Sequence, residues 1–239
     1  MNARELYQAG RLAEAIEALT AEVRSNPTDG QRRTFLFELL CFAGAFDRAG
    51  KQLDVLGQAG QEAAMGMLLY RAALHAEQTR QMMFTTGPLP FSTRDPATVT
   101  GSLNGTPFTS LVDADPRIGG RLEVFAAGEY LWLPFEHVAS IRIEAPKRLR
   151  DLMWTPAIVR PNPAFKGGEL GEVLLPALAP GSWQHADSQV QLGRVTEWHE
   201  LPDGREAPVG QKLLLVDDEE VSLLDVRELE FTPATNTAR

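Results

Sequence analysis

Five positions of the chain return in kind after thirty-four residues: Leu6 as Leu40, Gly10 as Gly44, Leu12 as Phe46, Ala15 as Ala49 and Leu19 as Leu53. A repeat of this length holds one pair of antiparallel helices, which cannot bury its apolar face alone and must stack on a neighbour. Each residue type has a task within the unit. The Gly ends the first helix, the small Ala lets two helices approach closely, and Pro27, twelve residues after Ala15, closes the unit. The first third of the chain must therefore be a short stack of helices.

Thirty-four is the period of the tetratricopeptide repeat. Apolar residues at helical spacing predict helices over residues 3–9, 12–24, 30–43, 47–56 and 62–81. Asn26-Pro27 stops the second, because the residue before Pro avoids the α region, and Asp47 is placed to cap the fourth. The last helix falls where a third repeat would begin, but no partner helix follows it. Stacked helix pairs present a concave surface suited to a peptide or an amphipathic helix. Aligned on Gly44, the positions facing that groove are Gln31, Thr34, Glu38, Cys41 and Phe42 on the third helix, and Met65, Leu68, Ala72 and His75 on the last. Thr34, Glu38, Phe42, Met65 and Leu68 are the expected partner-binding set, with Glu38 as an exposed charge at the rim.

Residues 85–107 are rich in Pro, Gly, Ser and Thr and read as a linker with early turns. From Phe108 the period falls to two, predicting strands over residues 108–113, 121–126, 129–133, 140–144, 171–175, 190–197, 211–216, 221–224 and 226–231, and a helical turn over 147–153. Ala127-Gly128 marks a tight hairpin. The expected fold is α+β: a tetratricopeptide-like helical bundle over residues 1–84, a linker over 85–107, and a mostly antiparallel, barrel-like β domain over 108–239.

Charge narrows the partners. The 239 residues carry a net charge of −9, of which residues 85–239 hold −8. Such a surface repels phosphate backbones and anionic membranes, so neither nucleic acid nor membrane insertion is expected. The single cysteine, Cys41, excludes an internal disulfide and fits a reducing compartment. With no signal-peptide core and no run of about 18 apolar residues, the expected location is the cytoplasm.

Several stretches are more distinctive than generic strand sequence. They are DPRIGGRLEVF from Asp115, YLWLPF from Tyr130, APKRLRDLMWTPA from Ala145, LLPA from Leu174 and LGRVTEW from Leu192. In this order they resemble the ImpE/TagJ (SciE-type) accessory proteins of bacterial type VI secretion clusters, and the resemblance covers nearly the whole chain. It departs at Pro176–Gly181, where an arginine and an aromatic residue would be expected before Pro180. The resemblance implies a non-enzymatic cytoplasmic accessory factor without cofactors. It also implies that the partner is the N-terminal helix of the small subunit of the contractile type VI sheath.

The enzyme alternative is a hydrolase-type site in the acidic domain, around Asp113, Asp115 or the loop carrying Ser182, His185 and Asp187. Triads draw their members from separate rigid segments, whereas these three share one loop. The nucleophile-elbow, dinucleotide and phosphate-loop patterns are absent. Asp217–Glu220 reads as a solvated hairpin turn, and His199-Glu200 lacks the second histidine of a zinc helix. The sequence reading accordingly holds no catalytic, cofactor or metal residue. Trp132, Trp154 and Trp198 read as core, while Arg150 and Asp151 beside Trp154 read either as an anchor for a ligand or as an ion pair fixing a turn. A scaffold joining two secretion components is the third reading.

Overall fold

The structure, a computed structural model, describes residues 1–58, 60–89, 96–163, 165 and 168–233. Its first layer is five consecutive helices: α1 Ala3–Gln8, α2 Leu12–Ser25, α3 Gly30–Phe42, α4 Phe46–Gly57 and α5 Gln61–Thr85. Each packs on the next. The start of α1 is fixed by a capping box, in which Asn2 and Glu5 exchange side-chain and backbone hydrogen bonds. Asp29 caps α3, whereas Asp47 lies inside the first turn of α4 and caps nothing.

The thirty-four-residue offset is repeated in conformation. Gly10 and Gly44 both take the left-handed region, at φ 75° and 66°. In each case the next amide closes the helix end: Arg11 N–H donates to the Leu6 carbonyl and Ala45 N–H to that of Leu40, both at 2.9 Å. Ala15 and Ala49 are fully buried, with Leu19 and Leu53 beside them in the core.

The second layer is antiparallel throughout. Eight strands form one sheet in the order β2-β1-β13-β6-β7-β8-β4-β5. They are β1 Gly101–Leu103, β2 Thr106–Phe108, β4 Arg121–Ala126, β5 Glu129–Pro134, β6 Val138–Ile143, β7 Trp154–Pro161, β8 Gly171–Pro176 and β13 Glu228–Phe231. A three-stranded sheet joins β3 Leu111–Asp113, β11 Leu213–Val216 and β12 Glu219–Ser222. A separate hairpin pairs β9 Glu197–Glu200 with β10 Glu206–Val209. The large sheet is open, because its end strands β2 and β5 do not pair with each other. This corrects the barrel-like expectation, since a barrel closes only when its first and last strands meet.

The Ala127-Gly128 hairpin between β4 and β5 is present, with both φ values positive as its type requires. Asp217-Asp218 turns β11 into β12 in the same way. Elsewhere the period misled. Residues 190–197, expected as a strand, instead begin with the end of the short helix α6 Ser188–Gln191, capped by the Asp187 side chain and followed by Gly193 at positive φ, and only Glu197 of them is in a strand. β7 was missed because Pro156 and Pro161 punctuate it, and the hairpin β1–β2 begins inside the expected linker.

Two cores result. One, within the β layer, is built around Leu122, Val124, Ile141, Val159, Leu175 and Leu229. The other is shared: Leu39, Phe42 and Ala76 of the helices pack in one cluster with Phe125, Met153, Trp154 and Leu192. The helical layer and the sheet are thereby one packed body.

Candidate functional site

The second half of α5 joins the layers. Arg80 is fully buried and points into the sheet, donating to both carboxylate oxygens of Glu123 at 2.7 and 3.0 Å and to the Leu178 carbonyl at 2.9 Å. Glu77, one turn earlier, accepts from Arg80 and from the Trp154 indole N–H. Lys212 stands between Asp113 and Glu123, 2.5 Å from an oxygen of each. Burial pushes both acids up, but they share one ammonium unequally. Glu123 also holds Arg80, and the two cations together bring it down to about 2. In Asp113 burial prevails over Lys212 and the carboxyl rises to about 7. The ion pairs of this buried network fix α5 against β4 and against the start of β11, through Arg80, Glu123 and Lys212.

The expected groove residues separate into three environments. Phe42 and Cys41 lie under the β layer, where they line one face with Met153, Trp154, Leu178 and Trp183. The concave surface at this end is filled by the chain itself, so Phe42 lies in the core instead of lining an open groove. Thr34 and Glu38 line a remaining cleft of about 960 Å³ between α1, α3 and the segment 146–152, with Tyr7, Phe35, Tyr70 and Arg148. Glu38 is buried there, not an exposed rim charge, and burial raises its carboxyl to about 7 against the opposing pull of Arg150. Met65 and Leu68 form the third environment. They stand 65% and 57% exposed on the first half of α5, with Leu69 at 55%.

The tempting catalytic loop is occupied by structural hydrogen bonds. Ser182 Oγ donates to the Ala179 carbonyl and accepts the Gly210 N–H, while His185 Nδ1 accepts the Asp187 backbone N–H. The three side chains form no relay. Asp151 takes the Lys147 and Arg148 amides at 2.9 Å and so holds the turn, Arg150 Nε stands 3.5 Å from Asp151 Oδ1, and the Arg150 guanidinium lies 4.7 Å from the Tyr70 ring centre. Trp154 is core, but Trp198 is 37% exposed because its hairpin lies outside both larger sheets. Among the described residues one group of metal-type ligands converges, His185, Glu197 and His199. No described helix is long and apolar enough to cross a membrane.

Sequence reasoning missed the Arg80 network. Its members are 43 and 89 residues apart, and the one signal was an arginine and a glutamate in step with the inward-facing Ala73 and Ala76 of α5.

By class this is an α+β protein whose helical layer is locked by buried charges onto an open antiparallel sheet. Residues 105–230 match the family model described as ImpE protein. The chain is 36% identical to the type VI secretion system accessory component TagJ of Pseudomonas aeruginosa, an alignment covering 98% of this chain and 92% of that one. It belongs to the ImpE family. The crystal structure of protein VPA1032 from Vibrio parahaemolyticus has the same fold, with a TM-score of 0.86 at 22% identity over 96% of this chain and 97% of that one.

Proposed function

We propose that the chain is a non-enzymatic, cytoplasmic accessory component of a type VI secretion system, binding a helix of the sheath's small subunit through its helical layer. The carrying observation is the exposed stripe Met65, Leu68 and Leu69 on α5. These residues are spaced i, i+3, i+4 on one face, where the partner helix of a third repeat would otherwise pack. A guest helix with aliphatic residues at matching spacing supplies that missing partner. The relationship to TagJ supports the secretion role.

A second surface has its own support. The cleft holding Thr34 and Glu38 has an aromatic floor and is flanked by Arg4, Lys147 and Arg148. A guest seated there would present acidic residues to those cations. Calorimetry with the peptide of the sheath subunit's N-terminal helix separates the two. Leu68→Ala is expected to cost about 1–3 kcal/mol of binding, as truncated interface anchors do, while Phe35→Ala leaves affinity unchanged. The reverse pattern moves the surface to the cleft, and no binding by the intact chain removes the sheath-helix reading.

A further inference from the structure

His185, Glu197 and His199 bring one ligand atom each to within 4.8 Å of one another. Two independent elements place them. Glu197 and His199 are i, i+2 on β9, and a strand turns such residues to one face. Their cross-strand neighbours Val209 and Ala207 lie on that face and, with His185 and His199, line a cavity of about 670 Å³. His185 comes from the loop after the turn Ser182–Gln184, held by Gln191, whose side-chain amide donates to its carbonyl at 2.9 Å. Its Nε2 lies 3.4 Å from Glu197 Oε2, and its ring centre 5.4 Å from that of His199.

We propose that this trio is a binding site for a divalent transition-metal ion of the zinc class. Two imidazoles and a carboxylate are the donor set such ions prefer over magnesium or calcium. A tetrahedral zinc with bonds of about 2.1 Å sets its ligands roughly 3.4 Å apart. The His185–Glu197 pair already has that separation, and His199 is exposed and free to close the remainder. Three protein ligands leave one position for water. The ion would clamp β9–β10, a two-stranded hairpin of a kind only marginally stable alone, onto the loop 181–187. Loading carries a cost: a metal on Nε2 shifts the imidazole proton to Nδ1, which now accepts the Asp187 N–H at 3.1 Å. Affinity is therefore expected in the micromolar range, below that of a closed structural zinc site. It falls in acid, where protons compete for the ligands.

The test uses the untagged full chain, dialysed against chelator and titrated with zinc chloride by calorimetry. One ion per chain is expected, with N/O-only coordination by X-ray absorption, since the sole thiol, Cys41, is buried. His185→Ala and His199→Ala should each weaken binding at least tenfold, and Glu197→Gln, which preserves shape, should weaken it less. His75→Ala, on exposed helix surface, should leave it unchanged. All variants are checked for native melting in chelator, and the Glu197→Gln arm decides if an alanine variant unfolds. Absence of binding, or binding that survives these changes, overturns the site.

Discussion

Two glycines in the same place of the repeat face different neighbours. A Cβ on Gly44 would lie 2.3 Å from the Trp183 ring, whereas on Gly10 it would meet only the flexible amide end of Gln189. Both substitutions to Ala carry the left-handed penalty of roughly 1–2 kcal/mol. Gly44→Ala should lose clearly more in urea denaturation, because a packed indole must move. The buried charges make a second prediction. Removing Glu123, as in Glu123→Ala, leaves Arg80 with Glu77 and Lys212 with Asp113 but takes away the carboxylate that both cations share, and should cost about 3–5 kcal/mol. Their titration sets the pH profile. Asp113 and Glu38, raised from 3.8 and 4.5 to about 7, hold protons in the folded chain that the unfolded chain has released. Their contribution to stability is fullest in acid and declines as pH rises toward 7. Glu123, lowered to about 2, acts oppositely: its contribution is present above 4.5 and is lost as pH falls. Asp113→Asn should flatten the decline in melting temperature between about 4 and 7.

At the scale of the element, α5 is two helices in one. Its first half shows Met65, Leu68 and Leu69 to solvent, and its second half buries Ala73, Leu74, Ala76, Glu77, Arg80 and Gln81. A Met65→Asp, Leu68→Asp double variant should therefore abolish capture of a sheath helix without lowering the melting temperature, which circular dichroism and calorimetry together would check. Arg80→Ala should unfold the chain. The helices themselves were legible, because Gly10 and Gly44 announce their ends and the 3.6 period runs unbroken between them. The hairpins at Ala127-Gly128 and Asp217-Asp218 were legible for the same local reason. What sequence concealed is non-local. Nothing near Phe42 foretells that Trp154 and Trp183 will cover it, and nothing near Lys212 foretells Asp113. Edge closure of the sheet is equally invisible, since β5 and β2 carry no mark of being ends.

On the scale of the whole molecule, the repeat layer and the sheet cannot be separated without cost. Trp183 packs against Gly44, and Arg194 donates to the Tyr7 and Gln8 carbonyls at the end of α1, so the segment 183–194 reads both corners of the repeat. Scanning calorimetry should show one cooperative transition, with two resolved transitions contradicting the shared core. A body so joined has its own sheet over one end of the concave face and leaves the outer half of α5 open. The most direct test of that account is hydrogen exchange of the full chain with and without the N-terminal helix of the sheath's small subunit. The account predicts slow exchange over residues 73–81 in both states, and new protection on binding confined to residues 61–72. Protection appearing instead along residues 30–38 and 146–152, or no change anywhere at saturating peptide, would contradict it.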